Sequence, residues 1–481
     1  MEPITPQPRP CWIAGRAEHG VAELTVRHPF DGSEVATVAV PGAEQVERAV
    51  AAAAGVAKEF RGTPAHQRAA ALDHVSRVLA ARAEEVAEQI TAENGKPLKW
   101  AKVEVTRAVS TFRFAAEEAR RFTGDLQRLD TDPAAEGRLA LVRRVPRGPV
   151  LGISPFNFPL NLVAHKVAPA IAVGAPIVVK PAPRTPLSAL LLGELLNETD
   201  LPEGAFSVLP VDNEATIGLV RDERLPVVSF TGSGPVGWSL MDAAPRKQVV
   251  LELGGNAAAV VCDDWPDLDF AASRIATFGN YQAGQSCIAV QRVIVDAAVA
   301  GEFVPKLVEA VRRLRTGNPH DPDVEVGPLV DEGAAERVEQ WVAEAVDGGA
   351  TVLTGGKRDG ATVEPAVLSD VPRGAKAWAE EIFGPVLAVT VVDGFDDALS
   401  TVDDSAYGLQ AGLFTTDVRK AFRARAELDV GGLIVGDVPA YRADQMPYGG
   451  VKGSGVGREG VRSAMADLTE ERVMVLTGVD L

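Results

Sequence analysis

Three short stretches hold the side chains with the clearest chemical potential. Cys287 ends GQSC, Glu252 opens ELGGN and Asn157 is the centre of PFNFP. A cysteine can supply a thiolate, the strongest nucleophile a protein offers near neutral pH, or it can be a small buried apolar residue. An asparagine between aromatics and prolines can be a turn former or an amide fixed in advance as donor to a developing oxyanion. Glu252 has two readings as well. It stands 20 positions beyond Gly232 in VSFTGSGPVG, Val228 to Gly237. An apolar run followed by G-x-G-x-x-G is a dinucleotide-binding signature, and its acidic partner about 20 residues on holds a ribose. A carboxylate can equally serve as a general base, and spacing alone leaves both roles open.

The elements that must position these residues change character along the chain. From Ala43 to Arg121 apolar positions recur at three and four residues with charged faces between them, as in HQRAAALDHVSRVLAARAEEVAEQI, which predicts a helical opening. From Leu139 the texture becomes strand, helix, strand: VLGISP, PLNLVAHKVAPAIAVG, APIVVKPAP, LSALLLGELLNET, FSVLPV and LPVVSFTGSG. That order implies a parallel sheet with crossover helices. After Val249 a second set of strands, VVLELGG, NAAAVVCD, QRVIVD and GPVLAVTVV, predicts a second α/β lobe. The polar segment Gly124 to Arg138 and the closing EERVMVLTG read as edge strands pairing outside the main sheets.

Composition bounds the function. A chain of 481 residues predicts several lobes. The three cysteines, Cys11, Cys262 and Cys287, form no C-x-x-C pair and predict neither a disulfide framework nor a bound metal. A net charge of −18 opposes binding to nucleic acid or anionic membranes. No apolar run is long enough for a membrane span, and the opening MEPITPQPRPCW has no secretory pattern. The expectation is a cytoplasmic protein.

Six motifs in order, PFNFP, KPAPRTP, ELGGN, GQSC, EEIFGPV and PYGGVKGSGVGRE, resemble those of the aldehyde dehydrogenase superfamily in its non-acylating, NAD(P)-dependent form, and the resemblance covers nearly the whole chain. It implies an α/β fold of two Rossmann-like parallel-sheet lobes with a small β oligomerisation element. The division expected is residues 1–121 and 146–251 for the dinucleotide-binding domain, 252–445 for the catalytic domain, and 122–145 with 460–481 for assembly into a homodimer or homotetramer. It further implies Cys287 as nucleophile, Asn157 with the Cys287 backbone N–H as oxyanion donors, and Glu252 as the base that releases the acid from a thioester. On the cofactor side it implies Ser154, Pro155, Phe156, Lys180, Pro183, Gly232, Ser233, Glu381 and Phe383.

Departures from the family pattern bear on specificity. Where many NAD-preferring members carry an acid three positions after the lysine, this chain has Pro183 and then Arg184; losing the carboxylate removes repulsion of a 2′-phosphate, so NAD and NADP both stand. His165 replaces a common tryptophan, and with Arg107, Ser286 and Arg442 it predicts a polar pocket for a small hydroxylated or anionic aldehyde, close to the lactaldehyde, glycolaldehyde and phosphonoacetaldehyde dehydrogenase branch. Arg292 is expected to be structural. A coenzyme A-acylating enzyme would not need Glu252, and a catalytically silent relative would be expected to have lost Cys287, Glu252 or Asn157.

Overall fold

The computed structural model describes residues 8–478. Its first sheet has five parallel strands at its centre, ordered Phe206–Val208, Ile177–Lys180, Val150–Ile153, Val227–Thr231 and Gln248–Glu252. Side chains alternate across it. Val150, Ile177, Val179 and Val227 face one core with the helices Ala65–Ala81, Leu98–Arg121, Asn161–Val173 and Leu187–Asn197, while Leu151, Ile153, Val178, Val228 and Phe230 face another. A sheet covered on both faces explains why these strands read as continuous apolar runs. Fully buried Phe60, Leu72, Leu79, Ile90 and Phe112 anchor the amphipathic opening helices to it, each contributing roughly 1.5–3 kcal/mol of burial.

Chain order reverses between Val150–Ile153 and Val227–Thr231. A doubly wound sheet opens a crevice there, at the carboxyl ends of its strands, and PFNFP and TGSGP are the loops that leave those ends. Helix Gly234–Ala243 starts in the second loop. A side chain on Gly237 would come within 2.3 Å of Leu253, so the third glycine of the fingerprint is there for close packing of this helix on the sheet.

The second sheet runs Thr351–Thr354, Ala366–Ser369, Val386–Val392, Arg292–Asp296, Ala258–Val261, Gln410–Phe414 and Gly432–Val435. All its pairings are parallel except the first. A third, antiparallel sheet joins Asp125–Arg128, Arg138–Pro146 and Thr469–Thr477, as expected of the two polar edge segments. Val473, Met474, Val475 and Leu476 of its outer strand are exposed.

One expectation needs correction. The strand VVLELGG does not begin the second sheet; Gln248–Glu252 pairs in parallel with Val227–Thr231 and closes the first sheet with help from Gly455–Val456. An apolar run does not encode its sheet, and here the crossover helix Gly234–Ala243 returns the chain to the neighbouring position. Helices occupy Ala43 to Arg121 as expected, and the strands Cys11–Ile13, Arg16–Glu18, Ala22–Arg27 and Glu34–Val40 precede the first of them. Arg16–Glu18 and Ala22–Arg27 are mostly exposed, Glu34–Val40 is partly buried and the buried Cys11–Ile13 is only three residues long, so they show little apolar periodicity.

Candidate active site

Glu252 is the last residue of its strand, and the chain then crosses through GGN to Ala258–Val261 of the second sheet. The site therefore lies where the two sheets meet. Cys287 arrives from the other direction. Helix Leu268–Asn280 ends in a distorted turn, Tyr281–Gly284, in which Gln282 and Ala283 hold φ of 52° and 53°. Non-glycine residues in the left-handed region carry strain that the surroundings must hold, and Gln285 supplies the grip. Its side chain donates to the Gln282 carbonyl at 3.2 Å and accepts from the Val330 N–H at 2.9 Å.

Cys287 is the half-buried cysteine, whereas Cys11 and Cys262 are buried. Its sulfur lies 2.9 Å from the Tyr448 hydroxyl, and burial pushes the thiol up to about 12. The next residue, Gly449, sits so close to Glu252 that a side chain there would come within 2.7 Å of Oε1. Adjacent residues of one loop thus touch the thiol and the carboxylate. Both Glu252 oxygens are buried without a hydrogen-bond partner among the described residues. Burial, and then the charge of Glu459, hold its pKa well above the usual carboxylate range.

Asn157 reaches the same place. Its side-chain amide donates to the Gln285 carbonyl at 2.9 Å, two residues before the cysteine, and its Oδ1 is buried and unpaired. The loop around it is clamped on several sides. Asn94 donates to the Phe156 carbonyl at 2.8 Å and Gln282 to the Asn157 carbonyl. Glu104 accepts the N–H groups of Leu160 and Asn161 at 2.9 and 3.1 Å, capping the start of helix Asn161–Val173. Glu104 is also ion-paired with Lys96, and neither side chain is exposed. Glu104→Ala would strand a buried ammonium, so unfolding by urea is expected to show a loss of about 3–5 kcal/mol; an unchanged midpoint and slope would contradict this.

A charge network lies beneath these groups. Lys166 contacts the hydroxyls of Ser229 and Thr231 at 3.1 and 2.7 Å and the Glu459 carboxylate at 3.4 Å. Arg442 pairs with Glu459 at 2.9 Å. Asp444 binds Arg107 at 2.8 Å, His165 at 2.9 Å and the Asn161 amide at 3.1 Å. Burial opposes its charge, but His165 and Arg107 overcome that and hold its carboxyl well below the ordinary range.

Arg107 and Arg442 line a cavity of about 160 Å³ together with Trp100, Phe158, Tyr281 and Tyr441. His165 and Ser286 do not line it. His165 is fully buried beneath Asp444, and the Ser286 hydroxyl is held at 2.7 Å by that of Tyr281. Arg292 donates to the carbonyls of Asn256, Thr401 and Val402, a structural part.

On the dinucleotide side, the Phe156 and Phe383 rings meet edge-to-face with centroids 5.9 Å apart, and Phe383 has a left-handed φ of 47°. Glu381 accepts the Gly255 N–H at 3.1 Å, and burial pushes its carboxyl up to about 7. Pro155 is half-buried beside Ser154, whose hydroxyl is buried with no partner among the described residues. Gly232 and Ser233 lead into helix Gly234–Ala243 with Ser233 exposed at its N-cap, leaving the first N–H groups to face an anion. Lys180 is buried and its ammonium is depressed by that burial; Pro183 is exposed, and Arg184 pairs with Asp331 at 2.8 Å on the surface. An orphaned hydroxyl, an aromatic pair and an uncapped helix N-terminus beyond the carboxyl ends of the first sheet's strands suit a dinucleotide.

Sequence reasoning missed Lys166, Asp444, Tyr448 and Glu459. Lys166 left a signal: with His165 it puts two ionisable side chains in an otherwise apolar, buried helix, where a charge needs a partner. Asp444 stands in an irregular loop and left none.

Comparison with known proteins agrees with this geometry. A match to the aldehyde dehydrogenase family spans residues 15–474. A 3-sulfolactaldehyde dehydrogenase from Priestia aryabhattai is 42% identical over 467 residues, 97% of each chain. The crystal structure of aldehyde dehydrogenase 21 from Physcomitrella patens, in complex with the reaction product succinate, superposes with a TM-score of 0.97 at 46% identity over 99% of both chains. An NADP-dependent glyceraldehyde-3-phosphate dehydrogenase from Bacillus halodurans C-125, complexed with NADP, gives 0.94 at 34% identity over 98% of this chain and 99% of that one. With its two parallel sheets, its nucleotide crevice and an accessible cysteine beside a buried glutamate, this chain belongs to the aldehyde dehydrogenase family.

Proposed function

We propose that the site oxidises a small anionic aldehyde to its carboxylic acid through a covalent bond to Cys287. The carrying observation is the meeting of an accessible thiol, an amide donor and an unpaired buried carboxylate around Gln285, Tyr448 and Gly449. The Cys287 thiolate adds to the carbonyl carbon, and the oxygen that gains charge is held by the Asn157 amide and the Cys287 N–H. The hydride of the tetrahedral adduct would pass to the acceptor that a bound NAD or NADP supplies. Glu252 then takes a proton from water as it attacks the resulting thioester, and the acid leaves. Ser154, Pro155, Phe156, Lys180, Pro183, Gly232, Ser233, Glu381 and Phe383 hold the cofactor in this reading, and the lobes divide just after Glu252, the last residue of its strand in the first sheet.

Arg107 and Arg442 give the substrate class. Both line the cavity, and each is tied to a carboxylate, Asp444 or Glu459, which restrains its guanidinium for an anionic group. The sulfonate of 3-sulfolactaldehyde and the carboxylates of succinate, named for two of the relatives, are groups of that kind. Arg107→Ala is expected to lower kcat/KM for anionic short aldehydes by about ten- to a hundredfold, the worth of a hydrogen bond to a charged group, and to spare neutral ones. A panel of short aldehydes assayed with NAD and NADP measures it; equal effects on both classes would sink the anionic reading. Assembly into a homodimer or homotetramer is supported by the outer strand Thr469–Thr477, whose second edge is unpaired among the described residues and whose exposed Val473, Met474 and Val475 suit pairing with a second copy.

A further inference from the structure

Tyr448 is 3% exposed, in a small apolar cluster with Ile288 and Leu409 beside Cys287. A phenylalanine would satisfy such a setting, because a buried hydroxyl without a partner costs about 1–3 kcal/mol. Among the described residues this hydroxyl has one partner, the Cys287 sulfur at 2.9 Å. The ring is not free to turn away. The N–H of Tyr448 donates to the Glu459 carbonyl at 3.0 Å and its carbonyl accepts from the Glu459 N–H at 2.6 Å. The Arg442 guanidinium lies 3.8 Å from the ring centroid and is itself held by the Glu459 carboxylate at 2.9 Å.

We propose that Tyr448 is a further catalytic residue: its hydroxyl donates to the Cys287 sulfur and stabilises the thiolate before aldehyde arrives, with Arg442 over the ring polarising the donor. The proposal rests on Cys287 being the nucleophile. Asn157 and the backbone N–H serve the substrate oxygen, and among the described residues the Tyr448 hydroxyl is the one hydrogen-bond partner of the half-buried sulfur. Burial raises the Cys287 thiol most; the Tyr448 hydrogen bond and Arg442 pull it down, while Glu381 and Glu252 push it up. The tyrosine stays protonated, since burial and the neighbouring sulfur hold its own ionisation well above the ordinary phenol range. It is therefore a donor throughout the working pH range.

The test is the pH dependence of iodoacetamide alkylation at Cys287, followed by mass spectrometry on the full chain without aldehyde, for the parent and Tyr448→Phe. Phenylalanine keeps the ring under Arg442 and fills the same cluster. A hydrogen bond to a charged acceptor shifts an ionisation by about one to two pH units. Roughly half of that returns as greater intrinsic nucleophilicity of the more basic thiolate. The rising limb for Tyr448→Phe is thus expected about three- to tenfold below the parent's at every pH. Coincident limbs, or a faster variant, would overturn the proposal. If Cys287→Ala still turns over, the reading of the nucleophile fails; coincident limbs with an inactive Cys287→Ala overturn the role of Tyr448 alone.

Discussion

Glu252→Gln is expected to release close to one equivalent of reduced cofactor per site and then nearly stop. The substitution keeps the size of the side chain and removes its capacity to take a proton. Acylation of Cys287 and hydride loss do not use that capacity, whereas attack of water on the thioester does. Loss of a general base costs about 10²–10⁴ in rate, so the steady rate should fall by that range with a preserved burst, a signature that stopped-flow absorbance separates cleanly. The pH dependence carries the same sign. Burial and Glu459 raise the Glu252 pKa, so hydrolysis in the parent should slow as pH falls through a value above the ordinary carboxylate range, where the base becomes protonated. The variant should lack that limb. Undiminished steady turnover in Glu252→Gln would remove the glutamate from the mechanism.

Cys287→Ala should lose all measurable oxidation, with kcat lower by on the order of 10⁴ or more, the scale seen when covalent enzymes lose their nucleophile. The methyl side chain occupies part of the thiol's space, and the neighbouring Ile288, Leu409 and Tyr448 remain packed. Cofactor affinity, measured by fluorescence titration, should stay close to the parent's, because the dinucleotide residues belong to other loops. A variant that retains turnover would mean that hydride leaves from a hydrated aldehyde and no covalent bond is needed.

Cys287, Glu252 and Asn157 could be singled out because each stands in a short motif resembling the family's, and the fold brings them near one another. The choice between base and ribose ligand for Glu252 was not settled by spacing, since the 20 residues from Gly232 measure only a helix and a strand. Its burial and unpaired oxygens support the base. Long apolar runs such as IVVK and VVSFT made the parallel sheet plain, yet which sheet received VVLELGG depended on a crossover that periodicity does not record. The strands before Ala43 were hidden because Arg16–Glu18 and Ala22–Arg27 are mostly solvated and the buried Cys11–Ile13 is too short to show a period. Specificity was the hardest part. Arg107 and Arg442 could be suspected one at a time, but Asp444, which orients Arg107 and buries His165, acts across more than 270 residues of sequence. Tyr448 lay inside a quoted motif, and only the fold put its hydroxyl on the sulfur.

The most direct test of the covalent mechanism is to mix Glu252→Gln with a short anionic aldehyde and oxidised cofactor, quench in acid after the burst, and read the mass of the peptide carrying Cys287. An acyl group in thioester linkage to that cysteine, at a level matching the reduced cofactor formed, is the predicted result. Full burst formation with an unmodified Cys287 peptide, or with the acyl group on another side chain, would contradict it.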